Sequence, residues 1–225
     1  VSEPPLKLEW IGLLEDFEPR PAALQMAVDE VLLRTISAPL LRVYRWAAPC
    51  ITLGYFEPYA LAAQSSGGRE VTRRWTGGGS VEHGTDWPYS ILIPATHPFA
   101  HEPAIGSYHR IHSALAACLN TLTPPATLAA SSSEKISSAC FENPVRHDLV
   151  QDGRKIAGAG QKRTRFGLLH QGSVQLDPQH HPEAMSFARG LAERVGVFPL
   201  PPGLTEHAWA LCRTRYADPN WIAKR

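Results

Sequence analysis

Absences narrow this sequence first. No apolar run approaches the ~20 residues that cross a bilayer. Lys and Arg total 22 against 21 Asp and Glu, a formal net charge of +1, without the basic excess of a nucleic-acid-binding domain. The four cysteines, at 50, 118, 140 and 212, form no Cys-x-x-Cys, which excludes zinc ribbons and thioredoxin-like redox pairs. None of the ten histidines completes a His-Glu-x-x-His; His101-Glu102 is followed by Pro103. Neither G-x-x-x-x-G-K-[ST] nor G-x-G-x-x-G occurs, so the standard nucleotide loops are missing. Residues Val1 to Trp10, with Glu3, Pro4, Pro5 and Glu9, lack the basic-then-apolar layout of a signal peptide. The expectation is a cytoplasmic protein with no bound metal, no nucleic acid and no membrane span.

What is present suits a globular enzyme. The chain has 225 residues, 44% hydrophobic and 19% charged, enough to bury a sizeable core. Residues Pro21 to Ile36 carry Leu24, Ala27, Val28, Val31, Leu32 and Thr35 on one helical face, with Asp29 and Glu30 off it. Short strands are expected at Leu40–Trp46, Ile51–Gly54, Glu70–Trp75 and Trp87–Pro94, then a helix from Ile105 to Leu122. Val145–Gln151 and Arg154–Gly158 flank Asp152-Gly153, a two-residue hairpin signal. Leu168–Leu176 reads as a strand, Glu183–Val195 as a helix, and Thr205–Tyr216 as a further helical stretch. Strands in runs and hairpins argue for an α+β fold: one domain over 1–225 with a mixed, mainly antiparallel sheet flanked by helices.

Two segments carry chemistry. In Arg73-Arg74-Trp75-Thr76-Gly77-Gly78-Gly79-Ser80-Val81-Glu82-His83, glycines let a ligand approach the backbone and arginines offer donor forks for an anion. In Asp152-Gly153-Arg154-Lys155-Ile156-Ala157-Gly158-Ala159-Gly160, a strand lysine precedes small residues that leave room for an extended chain. Each segment alone also fits a plain turn or a surface lysine. The five cations Arg154, Lys155, Lys162, Arg163 and Arg165, with no acid among them, read as a basic face for an acidic partner.

Together, R-R-x-T-G-G-G-x-V-x-H and the later G-R-K-I-A-G resemble the lipoate–protein ligase and octanoyltransferase superfamily, whose catalytic domain is shared with biotin–protein ligases. Trp46–Gly54 and Leu169-His170-Gln171-Gly172-Ser173 extend the resemblance over roughly 40–176. It implies attachment of an octanoyl or lipoyl group to a lysine of a lipoyl carrier domain, such as glycine cleavage H protein or a 2-oxoacid dehydrogenase E2. Arg73, Arg74, Thr76, Gly77, Gly78, Gly79, His83, Gly158 and Gly160 would bind substrate. About fifty residues follow Leu176, so no accessory C-terminal domain is expected. Ala139-Cys140-Phe141, upstream of Lys155, resembles the loop of the cysteine-dependent octanoyltransferases.

The implied reaction uses Cys140 as nucleophile and Lys155 to orient the acyl carbonyl, with an acyl carrier protein as donor and no tightly bound cofactor. A thiolate takes an acyl group from a thioester without ATP; a nearby cation favours the thiolate. His83, His147 and His170 are all candidate bases. As a residue at a pocket wall, Lys155 is expected to contribute little to stability. Two alternatives stand: an ATP-dependent lipoate–protein ligase with a separate accessory subunit, and a non-catalytic member that only binds lipoyl domains. Gly84-Thr85-Asp86 lacks the Gly-Asn step common in ligases, which favours the transferase.

Overall fold

A computed structural model describes residues 7–120, 122, 124–132 and 140–224, apart from the side chains of Leu61 and Cys140. Eight strands form the main sheet: β1 (Leu8–Arg20), β2 (Leu40–Trp46), β6 (Trp87–Pro94), β7 (Thr127–Leu128), β8 (Leu149–Gln151), β9 (Arg154–Thr164), β10 (Gly167–Val174) and β11 (Ala192–Val197). Their order is β11-β1-β2-β6-β10-β9-β8-β7. β1 runs parallel to both β11 and β2, and the remaining pairs are antiparallel. A second sheet, not read from the sequence, pairs β3 (Cys50–Leu53) with β4 (Glu70–Arg73) and β5 (Val81–His83).

Side-chain alternation explains why the central strands read as continuous apolar runs. Leu40, Leu92 and Leu169 face helix α1 (Ala22–Thr35) and α5 (Leu204–Leu211). Leu41, Ile91, Ile93 and Leu168 face α3 (Ala104–Cys118) and α4 (Ala184–Leu191). A sheet covered on both faces needs apolar residues at successive positions, and all eight residues of β6 are buried.

Helix α1 follows Pro21, whose φ of −55° suits entry into a helix. Its first amides, those of Ala22 and Ala23, donate to the Glu70 carboxylate at 2.8 and 2.9 Å, so a strand of the small sheet caps it. Asp29 and Glu30, expected off the packed face, are fully buried. Arg42 and Ser90 bond Asp29, while Arg215 and Tyr216 bond Glu30. The segment after β11 therefore packs α1 from its outer side. There α5 runs into a wider π turn over 212–216, followed by α6 (Pro219–Ile222).

The hairpin at Asp152-Gly153 is as expected, with φ of 50° and 74° at its two turn residues. Other boundaries differ. The helix expected over Glu183–Val195 ends at Leu191, and Ala192–Val197 becomes a strand. Parallel pairing with β1, a strand the sequence pattern did not reveal, overrides helix propensity there. Helix α3 stops at Cys118 rather than Leu122. α2 (Tyr59–Ser65) was not anticipated. β9 continues to Thr164, which breaks up the expected basic face. Lys155 is buried, Arg163 bonds the Glu102 carbonyl and Ser107, and Lys162 lies over the Tyr55 ring. No described helix is long and apolar enough to cross a membrane.

Candidate active site

A cleft opens between the two sheets. β3 and β5 contribute Thr52, Val81 and His83 to it, and the main sheet contributes Tyr44, Gly158–Gly160 and Gln171–Ser173. Arg74 from the glycine loop, Met26 from α1 and Phe141 complete the lining. Val81 and Phe141 also line an outer groove of about 560 Å³, together with Glu142, Arg154 and Lys155. The two openings thus share a boundary at Phe141.

The glycines serve close packing. A Cβ on Gly54 would sit 1.7 Å from the Gly78 carbonyl oxygen, and one on Gly160 would sit 2.4 Å from that of Gly77. Both positions therefore need glycine to receive the loop's backbone, and Gly78 itself holds a φ of 99°. Arg74 ties the loop down, donating to the carbonyls of Gly77 and Gly79 and to the Thr52 hydroxyl. Thr76 donates to Gln171 Oε1 at 2.9 Å. Arg73 does not line the cleft. It is fully buried and donates to the carbonyls of Gly54, Tyr55, Glu57, Trp221 and Ile222, fastening the loop's approach to α6.

Lys155 is 3% exposed, and its Nζ lies 2.8 Å from Asp148 Oδ2. The Tyr108 hydroxyl donates to Asp148 and accepts from the Ala159 amide, and the Val145 amide donates to the same carboxylate. A Cβ on Gly158 would lie 2.3 Å from Lys155 Cε. The missing side chain at Gly158 thus makes room for the lysine amine, not for an open channel. The pair's burial contradicts the expectation that Lys155 contributes little to stability, because removing one member of such a pair strands the other.

Of the three candidate bases, only His83 lines the cleft. Its Nδ1 lies 2.7 Å from Asp86 Oδ2 and its Nε2 2.8 Å from the Thr52 hydroxyl. Burial works to raise the Asp86 pKa. The charge of His83 and hydrogen bonds from His83, Ser173 and the Gly84 amide outweigh it and hold the carboxyl below its ordinary value. His170 is fully buried on the far face of β10, and burial drives its pKa well down. His147 faces a different surface hollow.

Cys140 opens a short 3-10 turn, Cys140–Glu142, while its side chain lies outside the described structure. The other cysteines do not line the cleft. Burial pushes the thiols of Cys50, Cys118 and Cys212 above the ordinary range, so they stay protonated. Among the described residues, no group of three His, Cys, Asp or Glu side chains could hold a metal ion. Asp148, Tyr108, Asp86, Thr52, Met26 and Tyr44 are further residues of the site that the sequence motifs do not mark as functional. Asp148, Asp86 and Thr52 lie within or beside the motif segments, while Tyr108, Met26 and Tyr44 carry no local signal.

The chain is similar to known proteins in sequence and in fold. The octanoyltransferase LipM of Moorella thermoacetica is 34% identical over 163 residues, covering 67% of this chain and 60% of that protein's length. The octanoyltransferase LipM of Brevibacillus brevis is 28% identical, covering 90% of this chain and 95% of its own. A Thermoplasma acidophilum protein solved with lipoic acid bound superposes with a TM-score of 0.72 at 18% identity, covering 97% of this chain and all of that one. This likeness shows the fold. The lipoyl protein ligase A/B catalytic domain family matches residues 21–192, and the chain belongs to that family.

Proposed function

We propose that this protein moves an octanoyl group from the thioester of an acyl carrier protein to a lysine of a lipoyl carrier domain, acting as one catalytic unit. Cys140 carries the group between them. The observation that supports this best is the position of Phe141. The residue next to Cys140 lines both the glycine-walled cleft and the outer groove that contains Lys155, so a thioester reaching in from the groove meets the 140–142 turn first. The resemblance to two octanoyltransferases favours transfer over ATP-driven ligation.

In the first step the Cys140 thiolate attacks the thioester carbonyl. A new C–S bond forms, and the carrier's thiolate departs and takes up a proton. In the second step the neutral amine of the acceptor lysine attacks the acyl-cysteine, forming an amide, losing one proton and releasing the cysteine. The Lys155 ammonium, fixed by Asp148, stabilises the charge that develops on the carbonyl oxygen in each step. Arg74, Thr76, Gly77–Gly79, His83, Gly158 and Gly160 form the walls around the acyl chain, with Arg73 bracing the loop from behind.

Incubation with an octanoyl thioester and no acceptor tests the reading. One octanoyl mass should appear without ATP on the peptide containing Cys140, and Cys140→Ala should abolish it. An unchanged adduct in Cys140→Ala overturns the assignment of Cys140, and acylation that requires ATP and spares every cysteine overturns the transfer reading in favour of a ligase.

A further inference from the structure

We infer that Met26 sets the length of the acyl chain this cleft accepts, an inference that rests on the acyl-transfer reading above. Val81 and Phe141 join the cleft to the outer groove. Met26 and Tyr44 line the cleft but not that groove and are 2% and 3% exposed, so a chain entering from the groove would run toward them. Tyr44 also borders a separate surface hollow with Trp46 and Trp87.

Both side chains are tied to polar neighbours. Methionine ordinarily adapts to what it packs against, having three rotatable bonds and a soft thioether. Here the Gln171 amide donates to Met26 Sδ at 3.3 Å and to Asp29 Oδ2 at 2.7 Å, and Gln171 Oε1 accepts from Thr76. Asp29 in turn accepts from Arg42 at 2.7 Å, and the Arg42 guanidinium carbon sits 4.3 Å from the centre of the Tyr44 ring. Tyr44 cannot withdraw without disturbing a buried ionic group. Shortening Met26 changes its size without removing a member of that ionic group.

A straight alkyl chain entering from the groove therefore gains binding with each methylene until it meets the Met26 side chain. One buried methylene is worth about fourfold in affinity where space exists, and the gain reverses where it does not. Shortening the side chain at position 26 lengthens the slot.

The test uses pantetheine thioesters from hexanoyl to dodecanoyl, with acyl-enzyme formation followed by intact-protein mass. In Met26→Ala the optimum should move to longer chains, and the decanoyl-to-octanoyl rate ratio should rise about tenfold. Met26→Val should move it in the same direction by less, and it carries the test if the alanine variant fails to fold. Leu32→Ala, a fully buried truncation further along α1 that does not line the cleft, should lower stability and leave the ratio unchanged. An unaltered ratio in both Met26 variants, or an equal shift in Leu32→Ala, overturns the inference. Failure of the wild-type protein to acylate with any thioester instead removes the acyl-transfer reading itself, and this inference with it.

Discussion

Two buried ionic groups flank the cleft, and they are built on different principles. Behind its floor, the Arg42 guanidinium bridges Asp16 and Asp29, and Arg20 adds a second cation on Asp16. Arg42 is fully buried and lines no part of the cleft. Along its wall, Lys155 is a point charge against Asp148, bordering the outer groove, with its Nζ 5.1 Å from the centre of the Phe141 ring. A planar fork suits the first task, because it satisfies two fixed carboxylates from one position. On the reading proposed above, a compact ammonium suits the second, because it presents concentrated charge at one point. The floor is then a structural device and the wall a chemical one, and substitutions should separate them.

The largest effect is expected at the floor. Arg42→Leu leaves Asp16 and Asp29 buried with one arginine instead of two, at a cost of about 3–5 kcal/mol. Urea unfolding at pH 7 should show a lowered midpoint with an unchanged slope. A midpoint equal to the wild type's would mean that Arg42 does not hold the floor together.

The wall should respond in rate as well as stability. Lys155→Arg keeps the charge, but its longer planar head does not fit the seat beneath Gly158, and kcat should fall on the order of 10²–10³ with a smaller change in KM. Stability should fall by about 1–3 kcal/mol, since the replacement overfills a packed site. Near-normal kcat would move Lys155 to the floor's class of residue. Gly158→Ala tests the same seat from the other side. Its methyl group would displace the Lys155 amine, lowering kcat about tenfold with the lysine itself intact. Unchanged turnover there would show that the seat tolerates displacement.

The same contrast explains what the sequence disclosed. Lys155, Gly158, Gly160, Arg74, Thr76 and His83 sit in short segments whose spacing is tied to backbone geometry, so the pattern survives in one dimension. Asp16, Asp29 and Arg42 lie in three different elements and look like ordinary surface charges. Nothing local says that each is covered by another. Tyr108 and Asp148 are likewise joined only by the fold, 40 positions apart. The strand Leu8–Arg20 escaped notice for a related reason. Its five charged residues, Glu9, Glu15, Asp16, Glu18 and Arg20, mask the period-two pattern, and its pairing with β11 cuts the helix expected over Glu183–Val195 short. Central strands were legible because burial on both faces writes a run of apolar residues into them.

The smallest expected effect concerns Asp86, beside His83 in the small-sheet wall of the cleft. His83, Ser173 and the Gly84 amide all hydrogen-bond this carboxylate, and its pKa lies below the ordinary value despite burial. A depressed folded pKa means that the ionised form stabilises the fold. That contribution is fully present above the unfolded carboxyl pKa of about 3.9 and is lost as pH falls through the lower folded value. Asp86→Asn removes the charge and keeps the shape, at a cost of about 1–2 kcal/mol near neutral pH. The wild-type and variant stabilities should converge as the solution is acidified below about pH 4. Turnover should change less than in Gly158→Ala, because His83 keeps its contact with Thr52. Urea midpoints measured from pH 3 to 8 decide the matter. A constant gap across that range would show that shape, and not the carboxylate charge, is what the Asp86 site contributes.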